Sequence, residues 1–200
     1  MKINRRQFVR NLGLGTASLS MGSLISTSSC APSGDSRDKR GKVSDDDQFL
    51  FIGDDIAIAQ TEYGKVQGYL LNHVYTFLGV PYGADTSGKN RFMPPQKPEP
   101  WTDVRPAVFY GNTAPQRMEN RWPNNYGTFA DHWNYWDVSE DCLYLNVWTP
   151  GIADGKKRPV LVWLHGGGFT NGSGIEQDGY HGENISREGD IVFCSINHRL

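Results

Sequence analysis

From Phe49 onward, apolar residues fall into short runs separated by Gly, Asn and Pro. Ala57–Thr61, Gly64–Leu71 and Val74–Val80 spell three short strands at hairpin spacing. Leu143–Trp148 predicts another. Val160–Leu164 and Ile191–Ile196 differ in kind, being continuously apolar, as strands covered on both faces of a sheet are. A short helix is expected between them, near Asn184–Glu188. That connection is long enough for a crossover, but the pairing direction stays open. Pro94-Pro95 and Pro98-Glu99-Pro100-Trp101 break regular structure, so this stretch should run extended over a surface.

Upstream the pattern is different. Residues 1–30 carry Lys2, Arg5, Arg6 and Arg10 without an acid, then Leu12, Leu14, Leu19, Met21, Leu24 and Ile25 diluted by Gly and Ser. This is the layout of an export signal. Arg5-Arg6-Gln7-Phe8-Val9-Arg10 resembles the motif read by the twin-arginine export machinery. Cys30 follows small residues, as at a lipoprotein cleavage site, although Thr27 stands where an aliphatic residue is usual. Cys30 is therefore either an acylated membrane anchor or an unmodified Cys beside an ordinary cleavage point. Residues 31–48 mix Ser, Gly and charges of both signs, a composition that reads as a disordered linker. The expected division is signal 1–30, linker 31–48 and folded domain 49–200, with the product exported to the periplasm or cell envelope.

Hydrophobic residues at 38% and charged residues at 21% describe a globular chain. A net charge of -2 provides no field to attract nucleic acid. No run reaches ~18 apolar residues, which excludes a polytopic membrane protein. Three Cys allow at most one intrachain disulfide. Six Trp point to a substantial core or an aromatic-lined site.

The sharpest chemistry lies at His165-Gly166-Gly167-Gly168-Phe169, directly after a buried-type strand. Three glycines there let the backbone approach another group with its N–H groups turned outward. Such a loop can donate to an oxyanion. It can also be a turn needed for packing alone. A phosphate cradle fits less well, because no Lys-Ser/Thr pair follows and the G-x-G-x-x-G spacing is missing.

Glu140-Asp141-Cys142-Leu143-Tyr144-Leu145-Asn146-Val147-Trp148-Thr149-Pro150 resembles a signature of the type-B carboxylesterases, the cholinesterase-like branch of the α/β-hydrolases. Phe77–Gly83 is similar to that family's F-x-G-I-P-Y-A segment, and Arg91-Phe92-Met93-Pro94-Pro95 through Trp101 to its R-F-x-P-P…P-W stretch. Val162-Trp163-Leu164 with the glycine loop and Gly172-Ser173-Gly174, then Ile196-Asn197-His198-Arg199-Leu200, continue the series in order over residues 57–200. The resemblance implies the N-terminal strands and first central strands of an α/β-hydrolase fold, incomplete here. It implies a carboxylic ester hydrolase working through an acyl-enzyme on a small-molecule ester, with no cofactor and no metal. The oxyanion donors would be Gly167 and Gly168.

The family's nucleophile sits in G-x-S-x-G, and no such motif occurs here; Gly34-Asp35-Ser36-Arg37-Asp38 is the nearest miss. Chain order in the fold is Ser, acid, His, so the triad is expected beyond Leu200 and no catalytic residue within the chain. His73, His132, His165, His181 and His198 read as packing or hydrogen-bonding residues. The 200 residues alone should then be inactive and marginally stable, with the two apolar strands exposing a face and an edge. By resemblance, Arg91 and Glu140 form a buried salt bridge whose breaking costs ~3–5 kcal/mol. Arg199 would be left single, its partner lying beyond Leu200. Cys142 usually bridges a Cys where this chain has Ala114, so Cys142 and Cys194 are expected as separate buried thiols. The Trp122–Trp136 loop, with Tyr126, Phe129, Trp133 and Tyr135, either walls a gorge or packs on itself. A non-catalytic binding or adhesion module of the same fold is the competing reading.

Overall fold

The computed structural model describes residues 49–117 and 137–200. The signal of residues 1–30 with Cys30, the linker of residues 31–48, His132 and the aromatic loop from Trp122 to Trp136 lie outside the described residues. Among the described residues, no helix is long and apolar enough to cross a membrane.

Two sheets form. The smaller joins β2 (Ile58–Gln60), β3 (Lys65–Gln67) and β6 (Arg105–Pro106). The larger runs β1 (Leu50–Phe51), β4 (Tyr69–Leu71), β5 (Val74–Pro81), β7 (Tyr144–Thr149), β9 (Val192–Ile196), β8 (Val160–Leu164). Its neighbours are antiparallel except β8 and β9, which pair in parallel, Val162 opposite Cys194. The helix α1 (Glu183–Gly189) lies in the connection between those two strands, which makes the crossover that sequence alone left open.

The single strand expected over Gly64–Leu71 is two, β3 and β4, each in a different sheet. Gly68 is where the chain changes sheets. Its N–H donates to the Ala57 carbonyl at 2.9 Å, and a Cβ there would overlap the Thr76 carbonyl oxygen. Asn72 and His73 turn β4 into β5 with φ of 48° and 67°, the mirror-image geometry that two-residue hairpins favour. His73 is thus a turn residue.

β5 is central and feeds both faces of its sheet. Phe77 and Val80 pack with Ala57, Val66 and Ala107 on one side, while Val74 and Leu78 join Trp148 and Phe193 on the other. The ladder between β5 and β7 breaks register between Phe77 and Val80, where Gly79 adopts φ 67°. Its N–H, lost to the ladder, donates instead to Asn146 Oδ1 at 3.0 Å. Asn146 Nδ2 donates onward to Ser195 Oγ at 3.1 Å. One buried amide therefore joins β5, β7 and β9.

Of the two continuously apolar strands, β8 shows the exposed face and edge expected of these 200 residues. All five residues of β8 are exposed, Val160 and Leu164 each at 63%. β8 holds the edge of the sheet and pairs with β9 alone. β9, with neighbours on both sides, is mostly buried.

Asn146→Leu should cost the full-length protein about 2–4 kcal/mol, because it strands the Gly79 N–H and the Ser195 hydroxyl in the interior. Urea unfolding measures this, and a loss below about 0.5 kcal/mol would show that neither group depends on Asn146.

Candidate active site

β8 ends at Leu164 and the chain leaves the sheet through His165-Gly166-Gly167-Gly168-Phe169. Gly167, Gly168 and Phe169 take φ of 122°, 61° and 59° in succession. At Gly167 this conformation comes with no room: a Cβ would overlap the Asn171 carbonyl oxygen. At Gly168 nothing lies within 4 Å of a Cβ, so only the backbone conformation selects glycine. Phe169 pays the left-handed penalty that a side chain brings, about 1–2 kcal/mol, and its ring is 81% exposed.

The turn closes on one carbonyl. Gly167 O accepts from Thr170 N at 3.1 Å, Asn171 N at 3.3 Å and Thr170 Oγ1 at 2.9 Å. Among the described residues, nothing accepts from the N–H of Gly167 or of Gly168, and both residues are exposed. Two consecutive backbone donors are thus unclaimed, beside a strand end that does not need them. Such donors suit an oxygen that gains negative charge during a reaction.

Two side-chain amides hold the other end of the loop. Gln116 Oε1 accepts from Gly172 N at 2.9 Å, and Gln116 Nε2 donates to Gly172 O at 3.0 Å and to Ala114 O at 3.1 Å. Asn197 is buried; its Oδ1 accepts from Gly174 N at 2.8 Å and its Nδ2 donates to Asn112 O at 3.0 Å. Asn197 is fixed in turn by its own N–H on Tyr144 O at 2.8 Å and by the Tyr82 hydroxyl on its carbonyl at 2.7 Å. Burial, then the neighbouring Cys142 thiol, pushes Tyr82 up to about 12, so this hydroxyl remains a donor.

Gly172 also packs on the loop's first residues. A Cβ there would overlap Gly166 O and stand 2.5 Å from His165 Nδ1. The His165 ring is buried and stacks on His198 at 4.3 Å, nearly parallel. Both histidines are therefore packing residues of the loop. His181 packs edge-on against Trp148 at 5.1 Å.

Arg91 and Glu140 meet, Nε to Oε1 at 2.5 Å, but the side chains are 59% and 32% exposed. The pair implied by the resemblance is thus formed, and within these 200 residues it is partly open. Arg199 makes no ion pair among the described residues, yet it is not idle: Nη1 donates to Met93 O at 2.8 Å. Cys142 and Cys194 are free and buried, and desolvation pushes each thiol up to about 11. Ala114 packs against Cys142 in one small cluster with Leu143. Arg91, Glu140, Ala114, Cys142 and Arg199 border a cavity of about 420 Å³. Among the described residues, no group of three His, Cys, Asp or Glu side chains could hold a metal ion.

The sequence motifs identified Gly167 and Gly168 but not the residues that hold their loop. Gln116 lies 56 residues from Gly172, and contacts at such separation leave no periodic trace.

Comparison with known proteins places these observations. Residues 55–200 match the sequence profile described as the carboxylesterase family. The chain is 43% identical over 143 residues to phenmedipham hydrolase of Pseudarthrobacter oxydans, covering 72% of this chain and 28% of that protein. It is 37% identical over 166 residues to acetylcholinesterase of Electrophorus electricus, covering 76% and 26%. It is 38% identical over 146 residues to para-nitrobenzyl esterase of Bacillus subtilis, covering 72% and 27%. Among solved structures, an esterase from Clostridium hathewayi that hydrolyses aliphatic aromatic polyesters superposes with a TM-score of 0.66 at 38% identity, covering 77% and 29%. The Geobacillus stearothermophilus carboxylesterase superposes at 0.60 and 38%, covering 72% and 26%. The chain thus spans about a quarter of the length of the relatives it matches.

In the full-length protein Arg91→Met should cost about 3–5 kcal/mol, the scale of a charge left without its partner, and adding Glu140→Leu should recover part of that loss. Additive losses would show that the two side chains do not touch.

Proposed function

The chain belongs to the carboxylesterase family, and from that membership we propose that it contributes the oxyanion-binding part of a serine-type carboxylic ester hydrolase. The observation that carries this is the pair of unclaimed N–H donors at Gly167 and Gly168, on a loop whose carbonyl side is closed. In the proposed reaction a serine hydroxyl adds to the ester carbonyl while a histidine takes its proton and an acid orients that histidine. The carbonyl oxygen becomes an oxyanion held by Gly167 and Gly168. The alcohol then leaves with the proton, and water releases the acid from the acyl-enzyme. The three triad residues are proposed to lie outside these 200 residues, which supply the donors and no nucleophile. The substrate class, a small-molecule carboxylic ester, rests on the relatives, among them a para-nitrobenzyl esterase and an acetylcholinesterase.

The first 48 residues are proposed as a twin-arginine export signal over 1–30 and a linker over 31–48, ahead of a domain from residue 49. Support comes from Arg5-Arg6 before a weakly apolar stretch. On this reading the protein is exported to the periplasm or cell envelope, with Cys30 as its lipid anchor if it is acylated.

The full-length protein should hydrolyse a short-chain aryl ester, and the 200 residues alone should not. Gly167→Ala keeps its N–H, but its Cβ overlaps the Asn171 carbonyl and must displace that donor, so kcat should fall about 100-fold or more, the scale of one lost oxyanion donor; Gly168→Ala, with nothing within 4 Å of its Cβ, should cost less. A folded full-length protein without ester turnover would favour the binding module. Full activity in Gly167→Ala would remove this loop from the reaction.

Export is checked separately. A reporter fused after residue 48 should stay in the cytoplasm when Arg5 and Arg6 are both changed to Lys. Unchanged export would refute the twin-arginine reading.

A further inference from the structure

We propose that Gln116 and Asn197 are positioning residues for the oxyanion loop, setting where the Gly167 and Gly168 N–H groups stand without touching the substrate. The inference rests on the ester-hydrolase reading of that loop. Its physical basis is independent of it.

A loop that leaves N–H groups free for a ligand has fewer backbone bonds to hold it in place. Here the bonds come from outside. Gln116 takes both polar groups of one peptide residue, Gly172 N–H and Gly172 C=O, at 2.9 and 3.0 Å. Two bonds to one residue fix its orientation as well as its position. Gly172 has φ 110° and is buried, and it lies against Gly166 O and the His165 ring with no space for a methyl group. A shift of Gly172 is therefore passed directly to Gly166, one residue before the first donor. Two residues on, Asn197 fixes Gly174 to the end of β9, where a Cβ on Gly174 would stand 2.6 Å from Ile196 O. The loop thus leaves the sheet from β8 and is returned to it at β9 by amide side chains.

The two clamps differ in accessibility. Asn197 is 2% exposed and also supports the Asn112 carbonyl, so replacing it risks the fold. Gln116 is only partly buried, and it is the better probe. Gln116→Met keeps the side chain's length and removes both bonds to Gly172 and the one to Ala114 O. Gln116→Glu keeps the acceptor for Gly172 N–H but sets a carboxylate oxygen against the Gly172 and Ala114 carbonyls, where the amide donated.

The experiment uses the full-length protein and two readouts. In steady-state hydrolysis of a short-chain aryl ester, Gln116→Met should lower kcat roughly 10- to 100-fold, as a small misplacement of reacting groups does, with KM within about twofold. Gln116→Glu should lower kcat at least as far, because its carboxylate repels the Gly172 and Ala114 carbonyls. Amide hydrogen exchange of the peptide spanning residues 166–174 should accelerate in both variants, with unchanged exchange in β5 and β7. If Gln116→Met does not fold, the Gln116→Glu result decides by the same criteria. Wild-type kcat in Gln116→Met, with Gly167→Ala inactive, would overturn the positioning role and leave the esterase reading intact. Faster exchange in a protein whose ester turnover is absent or indifferent to Gly167→Ala would overturn the esterase reading, and with it the catalytic role of the clamp. Unchanged exchange would overturn the clamp itself.

Discussion

A backbone segment cannot both satisfy its own N–H groups and offer them to a ligand. Helices and ladders consume the donors, so a donor loop has to be held by something other than its own secondary structure. In this protein the answer is side-chain amides. Gln116 and Asn197 bind Gly172 and Gly174, and among the described residues nothing claims the donors at Gly167 and Gly168. The glycines are the other half of the same constraint. Gly167 and Gly172 have positive φ and no room for a Cβ, so the loop can fold this tightly only with hydrogen at those positions.

The sheet beneath uses the same device at greater depth. β5 and β7 break register at Gly79, and the freed N–H goes to the Asn146 side chain. That amide passes its own donors to Ser195 on β9. Burying an amide is costly unless its groups are paired, and these are paired across three strands. β9 then carries the chain to Asn197, so the register that Asn146 secures is also the register that places the loop's second clamp. Parallel pairing of β8 with β9 puts the start of the glycine loop and Asn197 at the same end of the sheet.

Much of this was legible in the sequence. The strands over Val74–Val80, Leu143–Trp148 and Ile191–Ile196 and the helix near Asn184–Glu188 appear within a residue or two at most ends, because alternation, apolar runs and glycine punctuation are local signals. The glycine loop was legible for the same reason. Two features were not. The change of sheet at Gly68 depends on the approach of Thr76, which no local pattern records. The open state of the Arg91–Glu140 pair depends on what covers it, and the resemblance supplied the partners without the solvent.

The central claim is that Gly167 and Gly168 form a pre-set oxyanion site. The most direct measurement is a crystal structure of the full-length protein after reaction with a phosphonate that mimics an ester's tetrahedral intermediate. The account predicts the phosphonyl oxygen about 3 Å from both the Gly167 and Gly168 nitrogens, with Gln116 still bound to Gly172 and the loop backbone unmoved. An oxygen directed away from these two N–H groups, or a loop that must refold to reach it, would contradict the account.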